Sequence, residues 1–219
     1  DIADKEWAHE QHSRFSAFID ALKGAGVTFN IHHCCNSAGT LELPDFHREM
    51  IRPGIIQYGY DASKEVLVTG TKIKPVMSLR CCITHLKTIY EGDCVGYGRH
   101  FTAKGPTKIA TLPIGYADGY NRALSSKIDV IVHGVRAHQV GNICMDQCMI
   151  DVSHIPNVKV GDEVVLFGEQ GSECVSADEI ADTCHTIIHE ITCNINRRVP
   201  RVYVQNGKIV QRLEYLTQS

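Results

Sequence analysis

The sequence predicts a short α/β segment followed by a larger, mainly β, barrel-like domain. Three observations lead there. Residues 4–58 read as helix, strand, helical loop and strand in succession, a pattern of βα units with parallel strands. After Asp61-Ala62-Ser63 the pattern changes to short β-branched runs separated by Gly, Pro, Asn and Asp. And 219 residues at 43% hydrophobic and 21% charged are enough for one large core or two small ones.

The elements follow in order. Over residues 4–23, Trp7, Phe15, Phe18, Ile19 and Leu22 recur at helical spacing, with Asp4 to cap the start and Gly24 and Gly26 after the end. Residues 27–31 read as a strand ending in the polar cluster His32-His33-Cys34-Cys35-Asn36-Ser37. Gly39 and Asp45 punctuate a loop or short helix, and Arg52-Pro53 leads into a second strand over 54–58. In parallel α/β folds functional groups sit at the carboxyl ends of strands. Residues 63–75 are the expected linker. In the β domain, 81–89, 108–114, 130–132, 136–140, 147–152 and 163–167 read as strands, interrupted by one helix from Ala177 with Ser176 and Glu179 as a capping box.

Composition narrows the function. A net charge of -3 gives no basic field for nucleic acid. No apolar run approaches the ~20 residues that span a bilayer, and the polar opening Asp1-Ile2-Ala3-Asp4-Lys5-Glu6 does not read as a signal peptide. The ten cysteines suit a reducing cytoplasm, read mostly as buried small hydrophobes. Neighbouring Cys34-Cys35 and Cys81-Cys82 point to opposite faces if extended, and Cys144 and Cys148 have no second ligand pair at zinc spacing, so no metal is expected.

Several clusters could carry chemistry. In Ile114-Gly115-Tyr116-Ala117-Asp118-Gly119-Tyr120 a phenol sits in a tight turn after an apolar run, placed for proton transfer or for a structural hydrogen bond. Ser37 and the amides of Gly54 and Ile55 could cradle an anion or form an ordinary turn. Arg52 is either a fixed guanidinium donor or a surface ion pair. The turn Gly141-Asn142-Ile143-Cys144-Met145-Asp146-Gln147 offers amides for a carboxylate.

Taken in order, these clusters resemble the alanine racemase family of fold-type III pyridoxal-phosphate racemases. His33-Cys34-Cys35-Asn36-Ser37-Ala38-Gly39-Thr40-Leu41 is similar to the family's H-x-x-N-S-x-x-T-L, and Arg52-Pro53-Gly54-Ile55-Ile56-Gln57-Tyr58-Gly59 to its R-x-G-I-x-x-Y-G. Met77-Ser78-Leu79, Gly96-Tyr97-Gly98-Arg99, the Tyr116 turn, the Met145 turn and Arg198-Val199-Pro200-Arg201 follow in the family's order.

The resemblance implies that residues 1–62 are the C-terminal part of a β/α (TIM-type) barrel that binds pyridoxal 5'-phosphate, and 76–219 the β-rich C-terminal domain. It implies that Ser37, Gly54 and Ile55 hold the phosphate, with Asn36 among the cofactor residues. Arg52 would donate to the pyridine nitrogen, steadied by His33. Tyr116 would be one of two bases, a phenol that needs nearby cations to act at neutral pH. The Met145 amide would bind the substrate carboxylate. Tyr116 and Met145 would serve the partner's site in a homodimer.

The resemblance also implies an isomerase supplying D-alanine as a peptidoglycan precursor, with serine racemisation or a non-catalytic binding remnant as alternatives. The family's lysine-bearing V-K-A-N-A-Y-G-H-G-like segment does not occur in these 219 residues. The chain is therefore expected to be the C-terminal portion of a longer racemase, completed by a further segment or chain. At Arg197 the family often has a tyrosine.

Overall fold

The structure, a computed structural model, describes residues 2–65 and 73–216. It divides into two compact units, Asp1–Val76 and Met77–Ser219. Much of the expected linker over 63–75 lies outside the described residues.

In the first unit, helix α1 spans Glu6–Gly24. The Asp4 carboxylate accepts from the Glu6 N–H at 2.9 Å, and Lys23 sits in the last turn, where a cation suits the helix dipole. No residue of α1 is buried. Helix α2, Ser37–Glu42, begins at Asn36, whose side chain accepts from the Gly39 N–H at 3.0 Å. Single 3-10 turns follow at Pro44–Phe46 and Ile55–Tyr58.

Neither strand expected here forms. Residues 27–31 carry no ladder, and Val27, Phe29 and Ile31 are exposed. Residues 55–58 wind into a 3-10 turn that Gly59 ends in the left-handed region at φ 80°. A strand exists only through its neighbours' hydrogen bonds. The parallel pairing that does form is displaced: Met50 N–H donates to His32 O at 3.3 Å and Arg52 N–H to Cys35 O at 2.9 Å.

The second unit is dominated by antiparallel strands. These are β1 Leu79–Cys82, β2 His85–Ile89, β3 Cys94–Val95, β4 Phe101–Thr102, β5 Thr107–Leu112, β6 Asp129–Val132, β7 Val135–Val140, β8 Cys148–Asp151, β9 Glu163–Gln170 and β10 Glu173–Val175. Helices α3, Ala177–Cys184, and α4, Ile188–Asn194, precede a hairpin of β11, Arg201–Gln205, and β12, Lys208–Leu213.

The main sheet runs β1-β9-β6-β7-β8-β5-β2, with β10 on β9. Its edges, β1 and β2, are separated in sequence only by Ile83 and Thr84. A flat sheet of that width would hold them roughly 29 Å apart at ~4.8 Å per step, whereas this connection reaches about 10 Å. The sheet must therefore curl back on itself. Along its strands Leu112, Val130, Ile131, Val132, Ile150 and Leu166 are fully buried, so both faces of β6 are covered.

Three expectations for this unit need correction. The run 81–89 is two strands, because the chain changes partner between Ile83, which donates to Asp162 O, and Thr84, which donates to Thr111 O. Two helices, not one, interrupt the strands. At the first of them, Ser176 Oγ accepts from the Glu179 N–H at 3.1 Å, but the Glu179 carboxylate is drawn away to Arg136 at 2.7 Å, so only half of the capping box forms. Across both units the ten cysteines are free, and only Cys35 and Cys148 are buried. Cys34 and Cys35 sit with their sulfurs 4.0 Å apart, unbridged. With so few thiols inside, the sequence's cysteine count says little about the core.

Candidate active site

Two clusters gather the residues singled out by the sequence, one in each unit. In the first, the parallel contact between residues 32–35 and 50–52 brings the His33 and Arg52 side chains together. Arg52 donates to His33 Nδ1 at 2.5 Å. A guanidinium has only donors, so Nδ1 must offer its lone pair and the ring proton sits on Nε2. The ring thus fixes the guanidinium's direction without competing for its remaining N–H groups.

One turn away, the Gly54 N–H donates to Ser37 Oγ at 2.8 Å. The Ser37 hydroxyl hydrogen is left free to point elsewhere. The Ile55 amide precedes the first internal bond of its turn, Gln57 N–H to Gly54 O, and so is also an available donor. Asn36 spends its side-chain oxygen on capping α2 and keeps its amide N–H groups. His33, Asn36 and Arg52 line a cleft of about 500 Å³ that α1 borders with Trp7 and His12. Lys5 lines it too, but its ammonium is paired with Glu42 at 2.6 Å. Next to His33, His32 and Glu49 are tied, and the Glu49 carboxyl is held down at about 2, first by its own backbone N–H and then by hydrogen bonds from His32.

The second cluster is built from two interlocked turns. Tyr116 N–H donates to Cys144 O and Ala117 N–H to Met145 O, both at 3.0 Å. The backbones approach so closely that a Cβ on Gly115 would lie 2.2 Å from Cys144 O. Gly119 closes the turn at φ 100°, where a Cβ would lie 2.1 Å from Asn194 O. Tyr120 anchors the turn from below with a ring wholly buried in the core. Above this base Tyr116 and Met145 are 43% and 54% exposed, so both side chains are presented outward.

Asp118 holds the turn from inside. One carboxylate oxygen accepts from the Gly115 N–H at 2.8 Å. The other meets Arg198 Nε at 2.8 Å. Arg198 also donates to Asp146, the residue after Met145. These two carboxylates, Asp146 first, raise the guanidinium above its ordinary value. A separate bond, Asn142 Nδ2 to Tyr97 O at 2.8 Å, ties the Met145 turn to the Gly96-Tyr97-Gly98-Arg99 loop.

The sequence reading missed Asp118, Asp146 and Arg198 as a set. Two acids inside the singled-out turns and an arginine inside the last motif were the available signal, but 52 residues separate Arg198 from Asp146. Arg197, beside it, lies over the Tyr215 ring at 5.6 Å.

Residues 76–203 match the family model described as alanine racemase, C-terminal domain, and residues 1–62 the one described as alanine racemase, N-terminal domain. Alanine racemase 1 of Clostridium acetobutylicum is 45% identical over 216 residues, 99% of this chain and 56% of that protein. The chain thus spans little more than half the length of this curated relative. Among solved structures, alanine racemase from Bacillus anthracis with bound L-Ala-P is 36% identical with a TM-score of 0.92, covering 98% of this chain and 55% of that one. Alanine racemase from Bartonella henselae, with covalently bound pyridoxal phosphate, is 29% identical with a TM-score of 0.78, covering 93% and 54%.

Proposed function

The chain belongs to the alanine racemase family, and from that premise we propose that it is part of a pyridoxal-phosphate-dependent enzyme interconverting L- and D-alanine by a two-base mechanism. The observation that carries this reading is the interlock of the Tyr116 and Met145 turns. It fixes an outward phenol beside an amide-rich turn at a spacing set by backbone hydrogen bonds.

The residues of the first unit suit the cofactor. Arg52, aimed by His33, has donors to give and none to take back, as an unprotonated ring nitrogen requires. Ser37, with its hydroxyl hydrogen free, and the Ile55 amide suit a phosphate, and Gly54 keeps its donor in the same place through Ser37. Asn36 organises this corner by capping α2. When bound, the cofactor supplies an electron sink for the substrate's α-carbon. A permanently protonated arginine at the ring nitrogen weakens that sink and favours simple reprotonation over transamination.

Tyr116 takes or returns the α-proton on one face of the substrate. The Met145 amide orients the substrate carboxylate. The second base is the lysine that carries the cofactor in this family, and it belongs to a further segment of the complete protein. Residues 1–62 form the C-terminal part of its β/α barrel, and 76–219 its β domain. The working unit is a cytoplasmic homodimer in which Tyr116 and Met145 serve the partner's site, and its product is D-alanine for peptidoglycan.

Optical rotation during incubation of the complete enzyme with L-alanine and, separately, L-serine tests this. Loss of rotation with L-alanine well ahead of L-serine is expected. Faster loss with L-serine would make it a serine racemase. No change with either would leave a binding module.

A further inference from the structure

We propose that Arg198 is a positioning residue for racemisation, a single cation that couples the turn of the base to the turn that binds the substrate carboxylate. This rests on the roles proposed above for Tyr116 and Met145.

The two turns already share two backbone hydrogen bonds, from Tyr116 to Cys144 and from Ala117 to Met145. Those bonds set their separation but not their tilt, because both lie along one edge. Arg198 adds a second line of attachment. Nε bonds Asp118, two residues beyond Tyr116, and a terminal nitrogen bonds Asp146, one residue beyond Met145. A guanidinium is planar and rigid, so the two carboxylates are held at a fixed separation.

The arginine is itself fixed. Its own N–H donates to Asn196 Oδ1 at 3.1 Å, and the Asn196 N–H donates to Asp118 O at 2.8 Å. The Asp118 side chain is only 10% exposed, so it cannot replace the lost cation with bulk water. Asp146 is 58% exposed and contributes through direction more than through burial.

The two arms have different consequences. Asp118 stands behind the Tyr116 turn, so freeing it disturbs proton transfer. Asp146 stands behind the Met145 amide, so freeing it disturbs carboxylate binding. Loss of an interaction with bound substrate in both ground and transition state raises KM, and loss of alignment for the proton lowers kcat.

The test uses the complete enzyme with Asp118→Asn, Asp146→Asn, Arg198→Ala and Arg198→Lys. Asp146→Asn is expected to raise KM for alanine with kcat within about twofold, and Asp118→Asn to lower kcat with KM within about twofold. Arg198→Ala is expected to do both, and Arg198→Lys, which reaches one carboxylate at a time, to recover part of one effect.

Hydrogen exchange supplies a readout apart from activity. In Arg198→Ala the peptides over 114–120 and 141–147 should exchange about tenfold faster while β5 and β6 stay protected. A merely structural arginine would speed all of them together, and that result overturns the proposal. So does an unchanged KM and kcat in Asp146→Asn and Asp118→Asn, which remains decisive if Arg198→Ala fails to fold. Tyr116→Phe measured alongside separates the levels: if it abolishes racemisation while the arginine and aspartate variants are normal, the positioning role alone falls; if it too is normal, the proposed base falls with it.

Discussion

The two units hold their functional residues by different means. In the second, the Tyr116 and Met145 turns stand on a closed core in which Val130, Ile131 and Val132 have no exposed surface, and their backbones touch where glycine alone fits. In the first, no residue of α1 is fully buried, no regular strand forms among the described residues, and His33, Ser37 and Arg52 are placed by a few individual hydrogen bonds. Sites can thus be specified by close packing or by a few polar contacts. The first kind is rigid and intolerant of added atoms. The second survives with little core but depends on each bond.

The sharpest way to break this contrast uses two glycines with the same left-handed backbone. Gly119→Ala puts a Cβ 2.1 Å from Asn194 O and should cost about 3 kcal/mol or more, read from the urea midpoint. Gly26→Ala, at φ +81° with nothing within 4 Å, should cost only the backbone term of about 1 kcal/mol. Equal losses would mean that packing does not distinguish the units.

Core truncation follows at smaller size. Ile131→Ala removes a fully buried side chain from β6 and should cost about 2–5 kcal/mol. Phe18→Ala, on a 62% exposed position of α1, should stay within about 0.5 kcal/mol in the same unfolding experiment.

The smallest effects are in pH dependence, and they differ in sign. Desolvation of the half-buried side chain first, and the neighbouring Cys82, push the Cys81 thiol up from 9.0 to about 12. A raised folded value contributes stability below 9.0 that is lost as pH rises towards 12. The exposed Glu49 is held down from 4.5 to about 2, so its contribution is present above 4.5 and is lost as pH falls towards 2. Cys81→Ala should flatten the alkaline limb of a stability–pH profile and Glu49→Gln the acid limb. Exchanged effects would refute the assignment of burial to one unit and hydrogen bonding to the other.

Legibility in the sequence tracks the same division. The strands β5 to β9 were readable because their apolar runs are bounded by glycine and other turn residues and buried in one sheet. The Ser176 cap was readable because it is local. The run 81–89 was not, since a change of partner at Ile83 leaves no mark on its apolar pattern. Residues 27–31 have strand composition but nothing to pair with in the described chain. The ordered motifs around Ser37, Arg52, Tyr116 and Met145 were visible as a family pattern. That His33 carries its proton on Nε2, and that one arginine spans both turns, emerge only from contacts distant in sequence.

The central claim is that Tyr116 moves the α-proton on one face only. It is tested most directly by following Tyr116→Phe in the complete enzyme in heavy water, by proton resonance of the alanine α-position together with chiral analysis. The account predicts that interconversion of the enantiomers stops, that one enantiomer still exchanges its α-proton without inverting, and that the cofactor's absorbance is retained. Undiminished interconversion, or equal exchange of both enantiomers, would contradict it.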